Sequence, residues 1–401
     1  MMVITAIFSP KTFVPHQLAV YGNNLYSREP PMLTLKTKQD IQDFTRGCCF
    51  FGTGGGGNAD FGDRMLLDVI DQGKSINIVS HDDINDNDWI VCPYLMGTSG
   101  PESDETKQDK IKHGLSAITV RNMPAAATDL LLKSSNKKVS LSAIIPYEIG
   151  AAATASAVAT AAMLDIPTID ADFVGRSVPE ATQMLPALYD MSLCPTASSD
   201  AFGNETIISQ ALNRHMVERI GKHIASASFG LIGQATLLHQ AKELKKYMLP
   251  GTLSTAFAVG KALRETNSSN QSVDEILKNL LQAKKIFQGT LASFNGSDVQ
   301  GYYVGDIIIK GTQAFDGALL KIWFKNENHI AWKDGAVQLT SPDLISIIDQ
   351  HSNEPYVNNQ LKPGMDVVVY GTPAHKAWYE PQALDANSPR YYGFDVDHKR
   401  V

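Results

Sequence analysis

At 401 residues, 43% of them hydrophobic, the chain is long enough to build two domains with sizeable cores. A formal charge of −7, from 35 basic and 42 acidic residues with no dense lysine and arginine run, speaks against nucleic acid as a partner. The four cysteines, Cys48, Cys49, Cys92 and Cys194, show no CxxC spacing, which argues against a thiolate zinc or redox site and fits a reducing cytoplasm.

The opening MMVITAIFSPK lacks a basic region and a cleavage site, so it is a poor signal peptide. Residues 1–34, with Pro10, Pro15, Pro30 and Pro31, read as an N-terminal arm. A short helix is expected from Thr37 to Gly47, with Ile41 and Phe44 inward, followed by an apolar CCFF strand at 48–51 and the glycine run GTGGGG at 52–57. A helix at 60–72 leads to a strand at 75–80 that ends in His81, Asp82 and Asp83. The strand 89–92, a helical segment within 112–133 and the strand 137–145 come next. Strand 139–145, an alanine-rich helix starting at Gly150 and strand 166–170 form a β-loop-α-loop-β unit, whose crossover requires parallel strands in one sheet. The helix is too short and too mildly apolar to span a bilayer, so no membrane role is expected. Residues 35–200 thus read as an α/β N-terminal domain with a largely parallel sheet. Residues 201–398 read as a C-terminal α+β domain rich in β-strands, helical over 205–287 and strand-dominated over 288–398.

The richest stretch is DIPTIDADFVGRSVPEATQ at 165–183, which sets Asp170, Asp172, Arg176 and Glu180 at and just beyond a strand end. Carboxylates are costly to desolvate, so acids grouped beside an arginine there point to a site, with a structural ion pair closing a loop as the plainer alternative. Glu148 ends the neighbouring parallel strand, where ligands of α/β sheets collect. These five residues are the catalytic candidates.

Gly52, Gly54 and Gly57 satisfy GxGxxG, and three readings of the run stay open: a dinucleotide loop, another anion or carbonyl site, or a tight turn. Asn58 and Ala59 exclude a Walker loop, which needs Lys and Ser or Thr at those positions. His215, Glu218 and His223 have metal-compatible helical spacing, although a solvated polar face beside Lys222 explains them better. No GxSxG elbow occurs, and Cys48 and Cys49 look structural. In SPDLISIID at 341–349, Ser341 is expected to cap a helix that has Pro342 in its first turn.

Taken together, GTGGGG, PYEIG, DIPTIDADFVGRSVPE, NEN, SPDLI and PRYYGFD resemble the S-methyl thiohydantoin desulfurase family over about residues 37–397. The resemblance implies two domains and replacement of sulfur by oxygen at the carbon between two ring nitrogens. It makes Glu148 or Asp172 a general base and Arg176 a holder of negative charge. The amides of Gly54, Gly55, Gly56 and Gly57, with Asn58, would bind a ring carbonyl. A divalent metal such as zinc would activate the water, although the sequence does not name its ligands. A small cyclic amide ligand, a hydantoinase or oxoprolinase partner and a homo-oligomer are expected on the same basis. Relatives often follow EIG with glycine and asparagine, where this chain has Ala151 and Ala152, which implies either action on a different ring or binding of a ring without turnover. Two other readings remain: a non-catalytic accessory subunit of a hydantoinase, and a dinucleotide-dependent enzyme using the glycine loop.

Overall fold

The structure, a computed structural model, describes residues 32–98, 100, 102–115, 119, 122–135, 139–266 and 272–401. The expected arm therefore lies outside the described residues up to position 31, and its last residues enter a strand, Leu33–Leu35. Thr37 opens the first helix, Lys38–Phe51, through a reciprocal cap. Its side chain accepts from Asp40 N at 3.0 Å, and the Asp40 carboxylate accepts from Thr37 N at 2.9 Å. This helix runs through Cys48–Phe51, so CCFF is a helix end and not the expected strand. A short apolar run reads the same in a buried strand and a buried helix, and here the helix is buried along most of its length. Gly47 lets it meet the helix Thr252–Thr266 backbone to backbone, since a Cβ there would fall 1.7 Å from Ala256 O.

The first half of the chain supplies strands β1 (Leu33–Leu35), β2 (Ile76–Val79), β3 (Trp89–Gly97), β4 (Leu141–Ile144) and β5 (Thr168–Ile169). Strands β6 (Ala171–Asp172), β7 (Thr196–Asp200), β8 (Glu205–Ile208), β9 (Leu231–Gln240) and β10 (Leu249–Pro250) follow. Eight of them form one mixed sheet in the order β1-β2-β5-β4-β3-β9-β7-β8, and β6 pairs with β10. Its central strands β2, β5, β4 and β3 are parallel, while the pairs on both flanks are antiparallel. The helix Ala151–Met163 crosses from β4 to β5, so the expected parallel unit is present. Residues 205–208 are a strand where a helix was expected, the helix there being Arg214–Ala227. β9, which the sequence did not suggest, carries the first sheet on to Gln240.

The second sheet is antiparallel throughout. It is built from β11 (Lys284–Val299), β12 (Tyr302–Gly311), β13 (Leu319–Lys325), β14 (Glu327–Lys333), β15 (Ala336–Thr340), β16 (Leu344–Asp349) and β17 (Asp366–Thr372). Its strand order is β15-β14-β13-β12-β11-β17-β16. Ser341 and Pro342 sit in a turn that enters β16, so the expected helix is absent there. Asp343 is instead fully buried and accepts from Tyr379 Oη at 2.6 Å and Val401 N at 3.0 Å.

The paired helices lie between the sheets. Ile41, Phe44, Leu253 and Ala256 pack with Ile76 and Ile78 of the first, and Phe50, Val259 and Leu263 pack with Ile348 and Tyr370 of the second. After β17 the chain returns to the first domain, where Trp378 Nε1 donates to Val174 O at 2.6 Å and Ala386 O accepts from Gln183 Nε2 at 2.8 Å. Among the described residues no helix is long and apolar enough to cross a membrane.

Candidate functional site

The glycine run connects the helix Lys38–Phe51 to the helix Ala59–Asp71, and its shape is fixed by what crowds it. Gly56 has φ +68°, and a Cβ there would fall 2.6 Å from Gly150 Cα. A Cβ on Gly55 would fall 1.9 Å from Glu327 Oε1. The carbonyl of Gly56 accepts from Ala152 N and Ala153 N, both at 3.0 Å, so the loop itself caps the crossover helix Ala151–Met163. Amides of that helix start are thereby taken, which removes the usual anion site of a parallel βαβ unit. Because the run follows a helix, the strand-turn-helix context of a dinucleotide fingerprint is missing, and that reading is corrected. Asn58 caps the next helix by accepting from Phe61 N at 2.8 Å.

These glycines form one wall of a cleft of about 280 Å³ between the two domains. Tyr94, Met96 and Gly97 come to it from β3, Tyr147 and Glu148 from beyond β4, and Lys222 from the helix Arg214–Ala227. Asn326 comes from the β13–β14 connection of the second sheet, and Glu327 opens β14. Of the five catalytic candidates, only Glu148 lines the cleft, where the structure brings it together with Gly54–Gly57 and Asn58.

The other four are placed elsewhere. Asp170 Oδ1 accepts from Leu253 N and Ser254 N, both at 3.0 Å, at the start of the helix Thr252–Thr266. Asp172 is fully buried, and its Oδ2 accepts from Val174 N and Gly175 N at 2.8 and 2.6 Å. Burial raises its carboxyl to about 7 against those two bonds. Arg176, also fully buried, donates to four carbonyls, those of Ser177, Pro342, Asp343 and Asn328, at 2.7 to 3.4 Å, and so ties the two domains together. Glu180 accepts from Lys325 Nζ and Tyr391 Oη, both at 2.6 Å. Burial works against its charge, but that lysine and those hydrogen bonds hold its carboxyl below the ordinary value.

Glu327 is the partner that Glu148 meets instead. Glu148 Oε2 accepts from Val178 N at 2.8 Å and Glu327 Oε1 accepts from Ser177 Oγ at 2.9 Å, so the two carboxyls grip adjacent residues from opposite domains. Burial pushes Glu148 well above the usual carboxylate range, and the Glu327 charge adds to it. Burial raises Glu327 to about 7, opposed by the Ser177 bond and by the charges of Arg176 and Lys222. Each carboxyl is thus raised, and ionising Glu327 works against ionising Glu148. Lys222, 8% exposed, donates to Gly97 O at 2.6 Å and Gly301 O at 3.2 Å.

Sequence reasoning singled out NEN without a role for Glu327 and set Lys222 and Glu218 on a solvated face. Both are buried, Glu218 accepting from Ala181 N and Tyr302 Oη at 2.9 Å, whereas His215 and His223 are exposed, so the suspected metal triad shares no face. The signal available was the i, i+4 spacing of Glu218 and Lys222, which places them on one helix flank. Among the described residues no cluster of three or more His, Cys, Asp or Glu is placed to hold a metal ion, and two carboxyls beside a lysine fall short of the three side chains of a zinc centre.

Residues 39–210 match the family model described as S-Me-THD-like, N-terminal domain, and residues 212–401 match S-Me-THD-like, C-terminal domain. The fold is similar to a crystal structure of a protein from Chromobacterium violaceum, at 20% identity and a TM-score of 0.74, covering 93% of this chain and 100% of the other. A comparison with curated proteins found no match.

Proposed function

Since the chain belongs to the S-Me-THD-like family, we propose that its interdomain cleft is the active site of a hydrolase acting on a five-membered cyclic amide or thioamide. One observation carries this reading: Glu148 and Glu327, two buried carboxyls that both hold their protons more firmly than usual, line together with the glycine loop a pocket sized for a small ring. The N–H groups of Gly56 and Gly57, which have no protein acceptor among the described residues, supply candidate donors for a ring carbonyl.

On an S-methyl thiohydantoin, water supplies the oxygen that replaces sulfur. Ionised Glu327 takes a proton from water as the oxygen bonds to the carbon between the ring nitrogens, while protonated Glu148 donates its proton to the adjacent ring nitrogen. The tetrahedral carbon then loses its carbon–sulfur bond. The hydroxyl proton passes to Glu148, the proton held by Glu327 goes to the departing methanethiolate, and a hydantoin carbonyl and methanethiol are released. Burial raises both carboxyls, which suits one of them to keep its proton as the acid while the other, ionised, acts as the base. The hydantoin formed is a substrate type for a hydantoinase, which keeps such an enzyme as the natural companion. Four unbridged cysteines, three of them buried, support a cytoplasmic setting.

The test is methanethiol release from an S-methyl thiohydantoin, followed with a thiol reagent, for the purified protein and for Glu327→Gln. Release that falls at least a hundredfold in the variant supports the assignment. Ring binding without release by the parent protein would make it an accessory binding subunit instead.

A further inference from the structure

The cleft adjoins a second hollow, and the two share a wall. Phe61, on the helix Ala59–Asp71, and Leu95, on β3, each line both the cleft and a neighbouring hollow of about 250 Å³. Both residues are half-buried, so each keeps surface that a ligand can reach. Beyond them the hollow follows two helices away from the cleft. Phe61, Met65 and Gln72 succeed one another at intervals of four and seven residues along the first helix and its C-cap, and Ala152, Ala159 and Met163 at seven and four along the crossover helix. Each set therefore shares one helix face, beginning in the cleft and ending in the hollow, a run of ~16 Å along the helix axis.

Helix spacing does not account for this trough. A Cβ on Gly62 would fall 2.7 Å from Ala151 O, so the two helices touch closely one residue beyond Phe61, and the trough lies to one side of that contact. Polar groups along it already have partners: Gln72 Nε2 donates to Asp68 Oδ2 at 2.9 Å, and Asn122 Nδ2 donates to Met163 Sδ at 3.2 Å. What faces the space is apolar surface from Phe61, Met65, Leu95 and Met163, the last 37% exposed. Methionine side chains, unbranched and polarizable, adapt to apolar ligands of varied shape.

We infer that this trough is the subsite for an extended apolar substituent on the ring held in the cleft, and that the substrates are cyclic amides or thioamides bearing such a chain. This rests on the function proposed above and names the substrate class of that same site. The glycine run leads through Asn58 to Phe61, so a ring whose carbonyl meets the N–H groups of Gly56 and Gly57 has the tetrahedral carbon next to that carbonyl on the Phe61 side. A chain on that carbon passes between Phe61 and Leu95 and lies against Met65, with Met163 at its far end.

The test is a series of S-methyl thiohydantoins carrying methyl, propyl or hexyl at that carbon, read as kcat/KM, with calorimetric Kd values for the matching hydantoins as a readout apart from turnover. Each methylene buried should improve both quantities roughly threefold, so that hexyl exceeds methyl by ~50-fold or more. Met65→Glu should cut the advantage of hexyl over methyl at least tenfold. Met163→Glu, at the far end, should cut the advantage of hexyl over propyl. Both residues reach solvent, so neither substitution seals a charge in the core. A parent protein that acts on or binds the rings with no gain along the series, or a gain that either variant leaves intact, overturns the inference and leaves the hydrolase reading standing. A parent protein that neither turns over nor binds any member removes the hydrolase reading, and the inference with it.

Discussion

Replacing Glu327 by glutamine removes the titration that the fold imposes on the cleft, and its size follows from the site. The Glu327 carboxyl is raised from 4.5 to about 7, chiefly by burial, and such a displacement corresponds to ~3 kcal/mol. Because the folded-state value is the higher one, the folded protein retains this proton between pH 4.5 and 7 where the unfolded chain has lost it. The associated stability is complete below pH 4.5 and disappears as the pH rises through 7. Glu327→Gln cannot ionise, and it also relieves Glu148, whose own upward displacement owes part of its size to the Glu327 charge. Urea unfolding at pH 5 and pH 8 is the assay. The two proteins should differ little at pH 5, and the variant should be the more stable by ~3 kcal/mol at pH 8. A wild-type to variant difference that is the same at both pH values would refute the raised Glu327 carboxyl and the mechanism built on it.

Gly55→Ala puts a methyl 1.9 Å from Glu327 Oε1 at a residue whose φ is not positive. It should depress turnover about a hundredfold while changing the pH profile that Glu327 sets, as rate measurements from pH 5 to 9 would show. Arg176→Met leaves the carbonyls of Ser177, Pro342, Asp343 and Asn328 without their buried cation and should cost at least ~3 kcal/mol in urea unfolding. Asp170→Ala removes the carboxylate from the first turn of the helix Thr252–Thr266 and should cost ~1 kcal/mol, read as a lower urea midpoint with an unchanged slope.

Periodicity made the parallel unit legible, because β4, the alanine-rich helix and β5 differ sharply in pattern and the crossover admits one topology. It failed at Cys48–Phe51, where an apolar run carries no phase, and at β9, whose LIGQATLLHQ mixes polar and apolar residues because Gln234 bonds to Ser198 on the neighbouring strand at 2.9 Å. The acids of 165–183 drew notice for a sound reason, since buried charge is rare, but sequence cannot separate a carboxylate that caps a helix from one that faces a ligand. Asp170 and Glu148 differ only in whether a backbone amide row or an open cleft lies ahead of them. Glu327 was out of reach because it belongs to the other domain, and proximity across that interface leaves no mark on local spacing. The tyrosines of PRYYGFD are explained on the same terms, with Tyr391 holding Glu180 and Tyr392 donating to Asn387 Oδ1 at 2.7 Å.

The return of the chain after β17 has a bearing on how the molecule comes apart. Trp378 and Ala386 are packed in the core of the first domain, although residues just before and after them, Tyr370 and Val401, belong to the second. A polypeptide that is laced back and forth in this way cannot melt one half while sparing the other, since loosening the second sheet pulls Trp378 out of its seat beside Val174. The two family-defined halves therefore behave as one cooperative unit, and the pocket between them persists or vanishes with the whole.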